Sequence, residues 1–501
     1  MQTETFGKEL KRLGFCDFVG VPCSYLAPLI NWAINENAFI IANNEGEAVA
    51  IASGISLANS PLGSTNSACS DFLGSASPNS LQRTASASHS LTSHNPKNSS
   101  TILEFATQNS PFTQDTRIFS NANSGESMGD SAKNSSDSTD SRKFGVVLMQ
   151  NSGLSNAISP LTSLNHTFEI PILGFVSLRG EPNERGENTD EPQHELLGKI
   201  TDKILAVCQI EYEFLETSLD LAIAQLHRAK KALESNKSFF FIVRKSCFEK
   251  VELKENLDNS MKFDVDSSDS IESAKSSDNV YCHTRLKSLA RNDERQATPH
   301  KNTTFTMKIK PTRLSALQCL QNLAQNAALL ATTGKCGREL YELGDMANYL
   351  YMVGSMGCVS SLALGISLKA RKKIIAIDGD SALLMRLGCL SGNAFYAMDA
   401  NKGNFCHILL DNESHDSTGG QFNLSPFTDF CAIAKNCGYA KVIKASDLGE
   451  FERAIETFLE VDSGGAWFVY LNIQKGSKKD LGRPKITPKQ VALRFSAWLN
   501  Q

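Results

Sequence analysis

The sequence of 501 residues predicts an α/β protein of two doubly wound parallel-sheet domains, with a long disordered insertion in the first and a linker between them. Three observations predict it. Short, near-continuous apolar runs alternate with segments of helical spacing, which implies parallel sheets covered by helices on both faces. Two stretches of low complexity interrupt that texture. Removing them leaves 361 residues, enough for two domains of ordinary size.

The elements follow in chain order. In a first domain of residues 1–253, FIIAN (39–43), GVVLMQ (145–150), IPILGFVSL (170–178) and FFFIVRK (239–245) read as buried strands. GEAVAIASGISLA and the stretch Leu154 to Thr167 have helical spacing. The segment 60–142 interrupts this domain, with 22 serines in its 83 residues and Asn, Thr and Asp filling most gaps. Such a segment cannot bury enough apolar surface to offset its ordering entropy, so it is expected to be disordered. A weaker version of that composition, residues 254–310, reads as a linker. In a second domain of residues 311–501, KIIAIDGD (373–380), FCHILLDN (405–412) and AWFVYLNI (466–473) read as strands, and 313–332, 357–370 and 447–462 as helices. Sheets of this kind bind ligands at the carboxyl ends of their strands.

Composition narrows the function. The net charge is −4 with no basic stripe, which gives no electrostatic case for nucleic acid. The start, MQTETFGKELKRLGF, lacks the apolar stretch of a signal peptide, and no run of about 18 apolar residues could span a membrane. The 13 cysteines are scattered without a C-x-x-C pair, as expected of reduced thiols in a cytoplasmic protein.

The richest chemistry lies in the second domain. One apolar strand ends in Asp378-Gly379-Asp380-Ser381, and another, Asn412 lying 32 positions after Asp380, ends in Asp411-Asn412-Glu413. Hard oxygen ligands from two neighbouring loops suit Mg²⁺ or Ca²⁺. Small residues ahead of a helix let backbone N–H groups approach a phosphate.

This pair of strand ends resembles the G-D-G and N-N motif of the thiamin diphosphate-dependent decarboxylases. The resemblance implies that Asp380 and Asn412 bind Mg²⁺ through their side chains and Ser414 through its carbonyl, with Gly379 and Ser381 against the diphosphate. Ser381 stands at the third position of G-D-G, where that family usually has glycine, and Asp411 where it has the first Asn. In Gly354-Ser355-Met356-Gly357, Gly354 matches the residue whose carbonyl accepts from the cofactor's 4′-amino group, and Met356 the apolar wedge that bends it. The family's glutamate, which protonates the aminopyrimidine, precedes a glycine by nine positions; Glu45 precedes Gly54 by nine, with Glu47 the competing candidate. Gly20-Val21-Pro22-Cys23-Ser24 resembles the turn whose serine, here Ser24, holds the substrate carboxylate. Asp190-Glu191-Pro192-Gln193-His194-Glu195 resembles the polar cluster in which relatives carry histidines or glutamines beside the thiazolium, which implies a proton carrier in His194. The segment from His415 through Gly419 to Gln421 resembles a loop folding over diphosphate and substrate, with His415 a second proton carrier.

The wording of GVPCSYLAPLI, NNEGEAVAIASG, DEPQHELLG, MVGSMGC and LLDNESHDSTGGQ is similar to that of the phosphonopyruvate decarboxylase family. That resemblance implies a two-domain enzyme converting 3-phosphonopyruvate to phosphonoacetaldehyde and CO₂ in phosphonate biosynthesis. It also implies a homodimer or larger homo-oligomer with active sites between subunits. Arg179, Arg185, Lys335 and Arg338 are candidate partners of the phosphonate. Sulfopyruvate or another 2-keto acid is the competing substrate. Outside this enzyme class stand a nicotinamide oxidoreductase, weakened by the lack of a G-x-G-x-x-G, and a non-enzymatic scaffold.

Overall fold

The computed structural model describes residues 1–59, 142–188, 190–254, 309–398, 403–461, 464–478 and 480–501. They form two six-stranded, wholly parallel sheets. The first contains β1 (Asp17–Gly20), β2 (Phe39–Ile41), β3 (Gly145–Gln150), β4 (Leu173–Ser177), β5 (Glu211–Phe214) and β6 (Phe239–Val243), in the order β2-β1-β3-β4-β6-β5. The second contains β7 (Ala328–Ala331), β8 (Tyr349–Tyr351), β9 (Ile374–Gly379), β10 (Phe405–Asp411), β11 (Lys441–Ala445) and β12 (Trp467–Asn472), in the order β11-β12-β10-β9-β7-β8. The two orders are the same. In each sheet growth reverses between the first and third strands, which opens a crevice at their carboxyl ends.

Several elements differ from expectation. The helix expected over 313–332 stops at Leu323, and Ala328–Ala331 is β7, paired with both β8 and β9. Ala-Leu-Leu-Ala carries no local preference for strand over helix; burial between two strands decides it. Expected to be buried, β2 is instead an edge strand with Ile41 half exposed. Strands β1, β5, β8 and β11 are additional. β5 and β11 lie at sheet edges and carry Glu211, Glu213, Lys441 and Lys444, so they show no apolar run. The insertion expected at 60–142 lies outside the described residues apart from Arg142, and so does the linker at 254–310 apart from Lys254, Ile309 and Lys310. Among the described residues no helix is long and apolar enough to cross a membrane.

Helix Glu45–Asn59 joins the two sheets into one body. Residues 46–57 are all buried, as befits a helix apolar on every side. One side packs on the first sheet and the other on helix Val359–Ser367, and a single apolar cluster continues from Val19 through both helices to Leu499. Their crossing is set by glycine. A Cβ on Gly54 would lie 2.2 Å from the Leu362 carbonyl oxygen, and one on Gly365 would lie 2.1 Å from that of Ile51. Around this contact, Ser496 Oγ donates to the Leu57 carbonyl at 2.8 Å, the Ile41 N–H donates to Tyr396 Oη at 2.6 Å, and Lys369 pairs with Asp17.

Candidate active site

The carboxyl ends of β9 and β10 bring the expected diphosphate and metal residues together. Asp380, Asn412 and Ser414 are all buried. Asp380 Oδ2 accepts from the Ser414 N–H at 3.2 Å and from Asn423 Nδ2 at 2.7 Å. Burial pushes the Asp380 carboxyl up to about 6; the Asn423 donor opposes that and the neighbouring Asp411 charge adds to it. Asp411 accepts from Tyr470 Oη at 2.8 Å and from the Glu413 N–H at 2.9 Å. Two close, desolvated carboxylates beside an amide and a carbonyl make a donor set suited to a hard divalent cation. Among the described residues the Ser414 hydroxyl is buried there without a hydrogen-bond partner, as fits a turn built around a bound polar group.

The loop after this turn folds back on itself: the His415 N–H donates to the Gln421 carbonyl at 2.9 Å and the Gly420 N–H to the His415 carbonyl at 3.0 Å. Gly419 is exposed at its tip, and Ser417 lies against Gly334 in the turn that follows β7. Asp416 is tied to Arg313 at 2.9 Å and to Asn412 at 2.6 Å. The loop is thus anchored next to Asn412.

The acid side is assembled from the first sheet. Asn44 caps helix Glu45–Asn59 by accepting the Glu47 N–H at 3.0 Å, which places Glu45 at the helix start. Glu45 accepts from Asn156 Nδ2 at 2.9 Å and packs so closely on Gly153 that a Cβ there would lie 2.0 Å from Glu45 Oε1. Glu47 points elsewhere. Fully buried, it accepts from the Asn43 N–H at 2.9 Å, and burial raises it above the usual carboxylate range.

The Gly354–Gly357 turn follows β8 in the second sheet. Gly354, Ser355 and Gly357 all have positive φ, which is costly for Ser355 and marks a constrained site. Ser355 Oγ meets Ser163 Oγ at 2.7 Å. Ser163 belongs to the π-helical turn Leu161–His166 that follows Pro160, whose missing N–H breaks the regular ladder. Met356 is 40 % exposed, an apolar side chain left uncovered in the crevice. Asn44, Asn156, Ser159, Gly354, Ser355, Met356, Met385 and Arg386 line a cavity of about 630 Å³ between the two sheets. Both walls of this cavity come from the one chain described.

Ser24 and His194 lie in the connections that follow β1 and β4. Ser24 is exposed just beyond β1. The thiol of Cys23, 3.5 Å from Ser177 Oγ, is pushed up by burial, which argues against a nucleophile. His194 is buried, its Nε2 3.5 Å from Glu191 and its Nδ1 without a partner among the described residues. Of the cations considered for a phosphonate, Arg179 is committed to Asp190 through two hydrogen bonds, Arg185 is exposed, and Lys335 and Arg338 lie on helix Lys335–Leu343, beyond Gly334. Sequence reasoning missed Arg386, Asn156 and Asn423. Arg386 reaches from the second sheet to Asn44 Oδ1 and, at 3.3 Å, to the Asn156 carbonyl. No local motif announces these three. The Asn44 cap was readable from Asn44 directly preceding an acidic helix start.

The chain is similar to known proteins in sequence and in fold. Residues 332–470 match the thiamine pyrophosphate enzyme, C-terminal TPP binding domain family. The chain is 31% identical to the phosphonopyruvate decarboxylase of Streptomyces viridochromogenes, covering 98% of this chain and 93% of that one. It is 34% identical to the sulfopyruvate decarboxylase subunit beta of Methanocaldococcus jannaschii, over 30% of this chain and 78% of that one. The crystal structure of benzoylformate decarboxylase from Polynucleobacter necessarius superposes with a TM-score of 0.54 at 11% identity, covering 95% of this chain and all of that one, a likeness of fold alone. Likeness at this level along nearly the whole chain shows that it belongs to the phosphonopyruvate decarboxylase family of thiamin diphosphate-dependent enzymes.

Proposed function

We propose that the chain decarboxylates 3-phosphonopyruvate to phosphonoacetaldehyde and CO₂, with thiamin diphosphate and Mg²⁺, as a step of phosphonate biosynthesis in the cytoplasm. One observation carries this reading: Asp380, Asn412 and Ser414 are buried together at the ends of β9 and β10, in a chain similar along 98% of its length to a phosphonopyruvate decarboxylase. Asp380, Asn412 and the Ser414 carbonyl would hold Mg²⁺, and Gly379, Ser381 and Gly419 would line the diphosphate. Gly354 would accept from the aminopyrimidine, with Met356 as the wedge. When bound, the cofactor supplies the electron sink that decarboxylation of a 2-keto acid needs.

The protein's own part is placement and proton handling. Glu45 would hold a proton at the aminopyrimidine, its side chain packed against Gly153. Ser24 Oγ donates to the substrate carboxylate, and His194 and His415 carry the protons of the later steps. Because Arg179 is neutralised by Asp190, Lys335 and Arg338 are better placed than Arg179 to meet the phosphonate dianion. A homo-oligomer is supported by Phe422, Leu424 and Phe427, which are 66%, 63% and 75% exposed beside the metal turn. Sedimentation as a monomer would overturn that part.

The test is CO₂ release from 3-phosphonopyruvate, sulfopyruvate and pyruvate by the full chain with thiamin diphosphate and Mg²⁺. Fastest turnover is expected with 3-phosphonopyruvate. Faster turnover of sulfopyruvate, a reading favoured by the likeness to the archaeal sulfopyruvate decarboxylase subunit, would overturn the substrate and leave the reaction class intact.

A further inference from the structure

We propose that Asn423 is the positioning residue of the metal and diphosphate turn, and that it aims the Ser381 hydroxyl as a donor to the diphosphate. The proposal rests on reading Asp380 and its neighbours as that site. It explains how the chain works with a serine where a glycine is usual.

Segment Gln421–Phe427 is exposed except at two residues. Phe422, Leu424 and Phe427 point outward, while Asn423 is 5 % exposed and turns in. Its amide is fully used. Oδ1 accepts the Ser425 N–H at 3.1 Å, which fixes which end of the amide is oxygen. Nδ2 spends one hydrogen on Asp380 Oδ2 and the other on Ser381 Oγ, each at 2.7 Å. Two consequences follow from counting hydrogens. With the Ser414 N–H also on Asp380 Oδ2, the carboxylate is held in orientation before any cation arrives. And Ser381 Oγ, occupied as an acceptor, keeps its own hydrogen for a different acceptor. A diphosphate, which bears only acceptor oxygens, is the partner such a hydroxyl fits. A glycine at 381 would leave one Asn423 hydrogen unpaired in a buried place, so Ser381 and Asn423 form a matched pair.

The test is a double-mutant cycle on the full-length chain, read by equilibrium binding of thiamin diphosphate at saturating Mg²⁺ and of Mg²⁺ at saturating cofactor. S381G and S381A should each weaken cofactor binding by about 3–10-fold, the worth of one hydrogen bond, with Mg²⁺ binding unchanged. N423A should weaken both ligands by about 10-fold or more, since the hydrogen bond it removes goes to a charged group. N423L, which keeps the bulk and loses the donors without adding charge, should do the same and stands in if N423A does not fold. The double variant S381G/N423A should bind cofactor within about twofold of N423A alone. Additive losses, or unchanged cofactor binding in both Ser381 variants, would overturn the proposal. Failure of the wild-type chain to bind thiamin diphosphate would instead overturn the reading of the site, and this proposal with it.

Discussion

The two sheets have one strand order and put their chemistry at the same edge, but they build it differently. In the second sheet the polar set comes from two adjacent strand ends, with Asp380 and Ser414 linked directly by a hydrogen bond. In the first sheet Ser24, Glu45, Asn156 and His194 come from four separate connections, and Glu45 is placed by a helix cap and by the space that Gly153 leaves. A cation and a diphosphate are held by short-range backbone geometry and hard oxygens, which one strand-turn unit can supply. An acid must be placed against a face of the bound ring, and that takes converging elements.

Substitutions that separate the two carboxylates of the acid helix should break this comparison most sharply. Glu45→Gln is expected to lower the decarboxylation rate by about 10²–10⁴-fold with cofactor binding retained, while Glu47→Gln keeps the rate within a few-fold. Steady-state kinetics checks both, and a reversed ranking would move the acid to Glu47. Next in size is the helix crossing. Gly54→Val forces a side chain against backbone and should cost about 1–3 kcal/mol, read as a drop in the thermal midpoint. An unchanged midpoint would mean that the two helices are not in the contact described.

A smaller effect comes from pH. Burial raises Glu47, so the folded state prefers the neutral acid there. Stability from this group is present below its ordinary value, about 4.3, and is lost as pH rises through the raised one. Glu47→Gln removes that loss, so its thermal midpoint should gain on the wild type between pH 4 and pH 7. A constant difference would show that Glu47 does not titrate in that range. Least of all, Lys199→Ala removes an exposed pair with Glu195 and should change stability by under about 0.5 kcal/mol.

The same contrast governs what was legible. Asp380 and Asn412 stand at the ends of clean apolar strands, so their spacing alone brings them together. Glu45 was singled out by its distance to Gly54, and that distance has a physical counterpart: nine residues carry the helix from its first turn to the point where it crosses Val359–Ser367. Arg386 and Asn423 were not legible, because each acts across a fold contact, on Asn44 from 342 positions away and on Asp380 from 43. Strand β7 was hidden for a related reason, its apolar run being equally compatible with a helix until two neighbouring strands enclose it.

One strand shows how such a chain can gain length. Strand β3 delivers Asn151–Gly153 to the crevice at its carboxyl end, while at its amino end the chain returns at Arg142, having left the described residues at Asn59. There Gly145 is pinned to Ser56 by a hydrogen bond of 3.0 Å, which closes the doorway whatever passes through it. Added length at that doorway costs only loop-closure entropy, which grows slowly. It is therefore a natural splice point: a reporter or an affinity tag could replace residues 60–141 and leave the crevice at the far edge of the sheet as it is.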